Sequence, residues 1–117
     1  MALTMTRTRT QTTLTKLATR VANVHGELAF IEARLAEGTG TAKREAATVE
    51  ALKRRRGELL VSRGALYVTL MQFDPELDPT GIGMLEDWMK PFGRGKAAVK
   101  RWEASLLPVP SVRTYKA

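Results

Sequence analysis

The chain has 117 residues, 44% apolar and only 6% aromatic, no cysteine, and a formal net charge of +7. That length fits one domain, and the apolar fraction is too high for a disordered chain. Without cysteine there is no disulfide, thiolate metal site or cysteine nucleophile, which fits a reducing, cytoplasmic setting. The scarcity of aromatics leaves Leu, Val, Ala and Met to build the core, which favours helix-on-helix packing and an all-α fold.

In chain order, residues 1–12 are rich in Thr and Arg with little to bury, and read as a flexible basic N-terminal arm. Arg7, Arg9, Lys16 and Arg20, with no acid before Glu27, superficially resemble a transit peptide. They run straight into a regular heptad pattern, which a cleavable segment has no reason to carry. From about Thr13 the apolar residues are Leu14, Leu17, Val21, Val24, Leu28, Ile31 and Leu35, spaced alternately by three and four. This predicts a helix with a coiled-coil-like stripe. Gly38-Thr39-Gly40-Thr41 is expected to end it, with Gly38 as the left-handed cap and Thr41 starting the next helix.

A second helix is expected from about Ala42 to Phe73, with the stripe Val49, Leu52, Arg56, Leu59, Arg63, Leu66, Leu70 and Phe73. So short a turn between two long helices implies an antiparallel hairpin over 13–73. The second helix, at about 48 Å against about 37 Å for the first, would need a further partner. Residues 74–83 form an acidic Pro/Gly linker. Residues 84–106 form a short helical basic segment with one or two helices, first around Met84, Leu85, Trp88 and Met89, then from Ala97 to Leu106. Residues 107–117 read as an extended tail.

Charge is distributed unevenly. Residues 74–90 carry one basic and five acidic groups, and residues 91–117 six and one. Folding the hairpin about Thr39 and Gly40 places residue i opposite 79 − i. Glu27, Glu32, Glu37, Glu45 and Glu50 then gather near the turn, leaving Lys16, Arg20, Arg54, Arg55, Arg56 and Arg63 as a basic pole at the open end. Arg56 and Arg63 fall on the apolar stripe, where they either snorkel or end the seam against a polyanion.

The stretch Trp88-Met89-Lys90-Pro91-Phe92-Gly93-Arg94-Gly95-Lys96, then Lys100-Arg101-Trp102, interleaves cations with aromatics. Such cations can follow phosphates, and such aromatics can stack on bases. Through Trp88, Gly93-Arg94-Gly95-Lys96 and Trp102 it distantly resembles the Trp-bracketed reading loop of H-NS-type nucleoid proteins, which also follows a coiled coil. The family's proline after the basic pair is missing and the spacing is longer. The competing expectation packs Val99, Trp102 and Leu106 on the core and leaves Lys96, Lys100 and Arg101 solvated.

Asp74, Glu76 and Asp78 open like a calcium loop. Pro79 and Leu85, however, stand where the glycine and the bidentate acid belong, so a helix-terminating turn is expected. Gly81-Ile82-Gly83 lacks the lysine of a phosphate loop. His25 is the only histidine and is expected on the helix surface. No residue grouping suggests a nucleophile, general base or metal, so no enzyme, cofactor or metal is expected. The longest apolar run, Leu66–Met71, falls far short of the roughly 20 residues that span a bilayer. Two readings of function follow. The first is an oligomeric nucleic-acid-binding protein, for DNA or RNA, using Arg54, Arg55, Arg56, Arg63, Arg94, Lys96, Lys100 and Arg101. The second is a structural or adaptor subunit docking on an acidic protein. Both associate through Leu14, Leu17, Val21, Val24, Leu28, Ile31, Leu35, Leu52, Leu59 and Leu66.

Overall fold

The computed structural model describes residues 9–40 and 46–107. The remainder of the expected arm (1–8), Thr41 and Glu45 at the turn, and the tail from 108 lie outside them. Two long helices, α1 (Arg9–Gly40) and α2 (Ala46–Phe73), pack side by side as a hairpin, and a third, α3 (Gly95–Leu106), closes onto both. No strand occurs among the described residues.

Helix α1 starts at Arg9, so residues 9–12 of the expected arm are helical. In its Thr-rich beginning the polar side chains bond back to carbonyls one turn earlier. Thr15 donates to the Gln11 carbonyl and Thr19 to that of Thr15, and the Asn23 amide donates to that of Thr19. At its other end α1 runs through Gly38 to Gly40 rather than capping at Gly38. With 32 residues it is longer than α2, which has 28. The expectation that α1 is too short to cover α2 is therefore overturned.

The later turn also moves the register. Glu27 meets Arg55, Glu32 meets Arg56 and His25 meets Tyr67. Folding about residues 39 and 40 would have placed them against 52, 47 and 54. Of the stripe residues, Val21, Leu28, Ile31, Leu52 and Leu59 are buried, and Val24 and Leu35 pack against that core. Leu14, Leu17 and Leu66 are half-buried. Leu70 is fully buried, whereas Phe73 is exposed.

Past α2 the chain turns on its acids. Asp74 accepts from the Glu76 amide, while Asp78 accepts from both the amide and the hydroxyl of Thr80, capping a 3-10 turn at Pro79–Gly81. These two Thr80 bonds hold the Asp78 carboxyl below its ordinary range. A carboxyl lowered on folding contributes stability that is complete above the ordinary aspartate range and lost as pH falls through the lowered value. The Thr80 amide resonance is therefore expected to titrate at a pH below that of a free aspartate. A midpoint at or above the ordinary value would rule the cap out.

Residues 84–86 then run against α1 without regular secondary structure. The Leu85 amide donates to the Ala22 carbonyl, and the Trp88 amide to the Asn23 side chain. The helix expected around Met84 to Met89 is instead a 3-10 helix over Asp87–Phe92, with Met84 and Leu85 outside it and exposed.

Candidate polyanion site and the buried Glu27 clasp

Two polar constellations stand out. The first is internal and centres on Glu27, a heptad-flanking residue that is only 5% exposed. A buried carboxylate must be matched by donors, and this one has three. Arg55 donates Nε to Oε2 at 2.9 Å and Nη2 to Oε1 at 3.0 Å, a bidentate fork from α2. The Trp102 indole N–H donates from α3 to Oε2 at 2.9 Å. Arg55 also reaches Glu58 at 3.2 Å. The Glu27 fork first, against some desolvation, holds its guanidinium even more firmly protonated than usual. Glu27 thus joins all three helices.

Around the clasp the rings of Phe30, Trp88 and Trp102 meet pairwise at 5.3–5.5 Å. Gly26 makes this closure possible. A Cβ there would lie 2.1 Å from the Leu85 carbonyl oxygen and 3.0 Å from Trp88 Nε1. Arg34 and Glu103 add a second α1–α3 link at 2.6 Å. His25, expected on the surface, is a half-buried bridge. Its Nδ1 lies 2.8 Å from the Ile82 carbonyl and its Nε2 2.5 Å from the Tyr67 hydroxyl. Nδ1 is therefore the donor to the carbonyl, which can only accept.

These contacts pair two members of the basic pole expected at the open end, Arg55 and Arg56, with acids. Arg55 and Arg56 stand level with Glu27 and Glu32 and pair with them, Arg56 at 3.5 Å. Arg54 donates to the Leu106 carbonyl. Arg63 lies over the Tyr67 ring at 5.7 Å, an aromatic seat that suits a snorkelling side chain. Arg101 bonds the Phe92 carbonyl. The aromatics of the C-terminal segment are equally occupied, for Trp102 is buried and Trp88 packs on the core. Stacking of Trp102 on a base is not available in this fold.

The second constellation is the C-terminal set Arg94, Lys96 and Lys100. All three are exposed and form no ion pair among the described residues. Arg94 and Lys96 lie at the start of α3, at a backbone bend in which Gly93 and Gly95 take φ of 103° and 68°, conformations that disfavour a side chain, and Lys100 follows one turn later. No side chain caps this helix start, and no acid occupies its first turn. The helix dipole, positive at this end, therefore adds to the charge of the cations. Among the described residues, no group of three or more histidines, cysteines or carboxylates could hold a metal, and no helix is long and apolar enough to cross a membrane.

No protein-family model, curated protein or solved structure matches this chain. Nothing beyond its own residues therefore bears on function.

Proposed function

We propose that this is a non-enzymatic, cytoplasmic accessory protein that binds the phosphates of nucleic acid through Arg94, Lys96 and Lys100. The supporting observation is that Arg94 and Lys96 sit exposed and unpaired at the end of α3 where the dipole repels cations, with exposed Lys100 one turn further along the same face. Cations are normally placed at the opposite helix end, and an anion relieves the conflict. Lys96 and Lys100, four apart, share one helix face, and Arg94 precedes them at the N-cap. Charge of this kind reads the backbone and not base edges, so affinity is expected without sequence preference.

Fluorescence anisotropy with a labelled duplex and a labelled single strand tests this. The expected result is micromolar binding whose log affinity falls linearly with log salt. Three phosphate contacts give a slope of about −3 on duplex DNA. Binding should disappear in the Arg94→Glu/Lys96→Glu/Lys100→Glu variant. If the folded protein fails to bind either strand form at low salt, the reading is wrong.

The adaptor reading draws on a different observation. Val61 is 75% exposed and Val68 57% exposed, both on α2.

A further inference from the structure

Helix α1, helix α2 and residues 80–84 bound an open cavity of about 550 Å³. Small-molecule sites typically measure about 300–1,000 Å³ and are mostly apolar, with a few polar groups that fix the ligand's orientation. This one has that make-up, for Leu28, Leu60, Ile82 and Met84 supply its apolar walls. A single imidazole ties the three sides together. His25 on α1 meets the Tyr67 hydroxyl on α2 at 2.5 Å and the Ile82 carbonyl at 2.8 Å. The cavity is therefore formed without a ligand.

Arg63 decides what the cavity can hold. Among the described residues four arginines are half-buried, namely Arg34, Arg55, Arg56 and Arg63. The first three each meet a carboxylate, of Glu103, Glu27 and Glu32 respectively. Arg63 has only the Tyr67 ring, at 5.7 Å, and no ion pair among the described residues. A partly desolvated charge is normally matched by an opposite one. The acid in the lining, Glu32, is already taken by Arg56 at 3.5 Å. A planar guanidinium receives a carboxylate through two parallel hydrogen bonds. With one unmatched cation and Glu32 nearby, a monoanion balances the site. A phosphate monoester, at about −1.5 to −2, would bring charge in excess. We infer that this cavity binds a small apolar monocarboxylate, with its carboxylate on Arg63 and its body against Leu28, Leu60, Ile82 and Met84. The inference goes beyond the phosphate reading and does not rest on it, since Arg94, Lys96 and Lys100 do not line the cavity.

Calorimetric titration with cinnamate, and with neutral cinnamamide of the same shape, tests it. Cinnamate is expected to bind saturably with a Kd of about 0.1–1 mM, in the range open to so small a ligand. Amide resonances of His25, Arg63, Tyr67 and Ile82 should shift, and those at the start of α3 should not. Cinnamamide should bind at least about 10-fold more weakly, since the charge-assisted pair is gone. Arg63→Gln should bring cinnamate down to the level of the amide. Leu60→Glu keeps the arginine but gives it an acid three residues away, and should remove the same preference. Leu60 is exposed and Arg63 only half-buried, so circular dichroism should show both variants as helical as the parent. Arg94→Glu/Lys96→Glu/Lys100→Glu should bind cinnamate as the parent does. No saturable binding by the parent, equal affinity for acid and amide, or undiminished cinnamate binding by Arg63→Gln overturns the inference.

Discussion

Gly26→Ala is expected to destabilise the fold by about 2–3 kcal/mol, although helix propensity alone argues for the opposite sign. In the middle of a helix, alanine is favoured over glycine by about 1 kcal/mol. Here the added methyl would sit 2.1 Å from a backbone oxygen, that of Leu85, which no side-chain rotation can move. Relief requires lifting residues 84–86 off α1, which breaks the Leu85 amide to Ala22 carbonyl bond and unseats Trp88. Overpacking of this kind costs typically 1–3 kcal/mol, and a lost hydrogen bond about 1 more, so the clash outweighs propensity. Gly57→Ala, with open space around it, is the control and should gain up to about 1 kcal/mol in dilute protein. Denaturant midpoints at constant slope decide the matter. A Gly26→Ala protein as stable as the parent would mean that the 84–86 crossing is not where the structure places it.

The second large effect is expected at the clasp. Arg55→Ala strands the Glu27 carboxylate with only the Trp102 N–H. Breaking a buried pair from one side typically costs 3–5 kcal/mol. The Arg55 side chain is 34% exposed, so solvent offsets part of that, and about 2–3 kcal/mol is expected. Glu27→Ala strands Trp102 Nε1 instead, at about 2 kcal/mol. Because both variants break one network, the double variant should cost little more than Arg55→Ala alone. That corresponds to a coupling of at least about 1.5 kcal/mol. Equilibrium unfolding followed by tryptophan fluorescence would show it. Additive losses would mean that the two side chains act independently.

The hairpin was legible because its signal is redundant. Seven apolar residues at alternating spacings of three and four leave one way to face a partner helix. The turn was misread for a local reason. Gly38 and Gly40 look like breakers, yet both fall in the last turns of α1, and a glycine costs a helix only about 1 kcal/mol. That small error moved the register and counted Arg55 and Arg56 into a basic pole, although they pair with Glu27 and Glu32.

Glu27 itself was invisible as a site. A lone glutamate beside a heptad stripe looks like every solvated one, and its partner on α3 lies 75 residues away. The sole available hint was Arg55 within the basic run, since a buried acid needs a cation nearby. The C-terminal segment was half legible. Packing of Trp102 and half-burial of Leu106 follow from the stripe with Val99. Whether Lys96 and Lys100 engage phosphate is a matter for a ligand, and no pattern in one sequence encodes it.

That separation of 75 residues has a consequence for how the chain comes into being. The α1–α2 hairpin is assembled from neighbours in sequence and can zip as soon as Phe73 leaves the ribosome, since local contacts form early. Glu27 and Arg55 are then already face to face, but the indole that completes their shell has not yet been synthesised. Until translation reaches Trp102, the nascent hairpin carries an aromatic gap beside Phe30 and an incompletely matched carboxylate. Closure by α3 is therefore expected to be the last act of folding, and its reversal the first of unfolding. Hydrogen exchange should therefore find the Gly95–Leu106 amides opening well before those of the α1–α2 core.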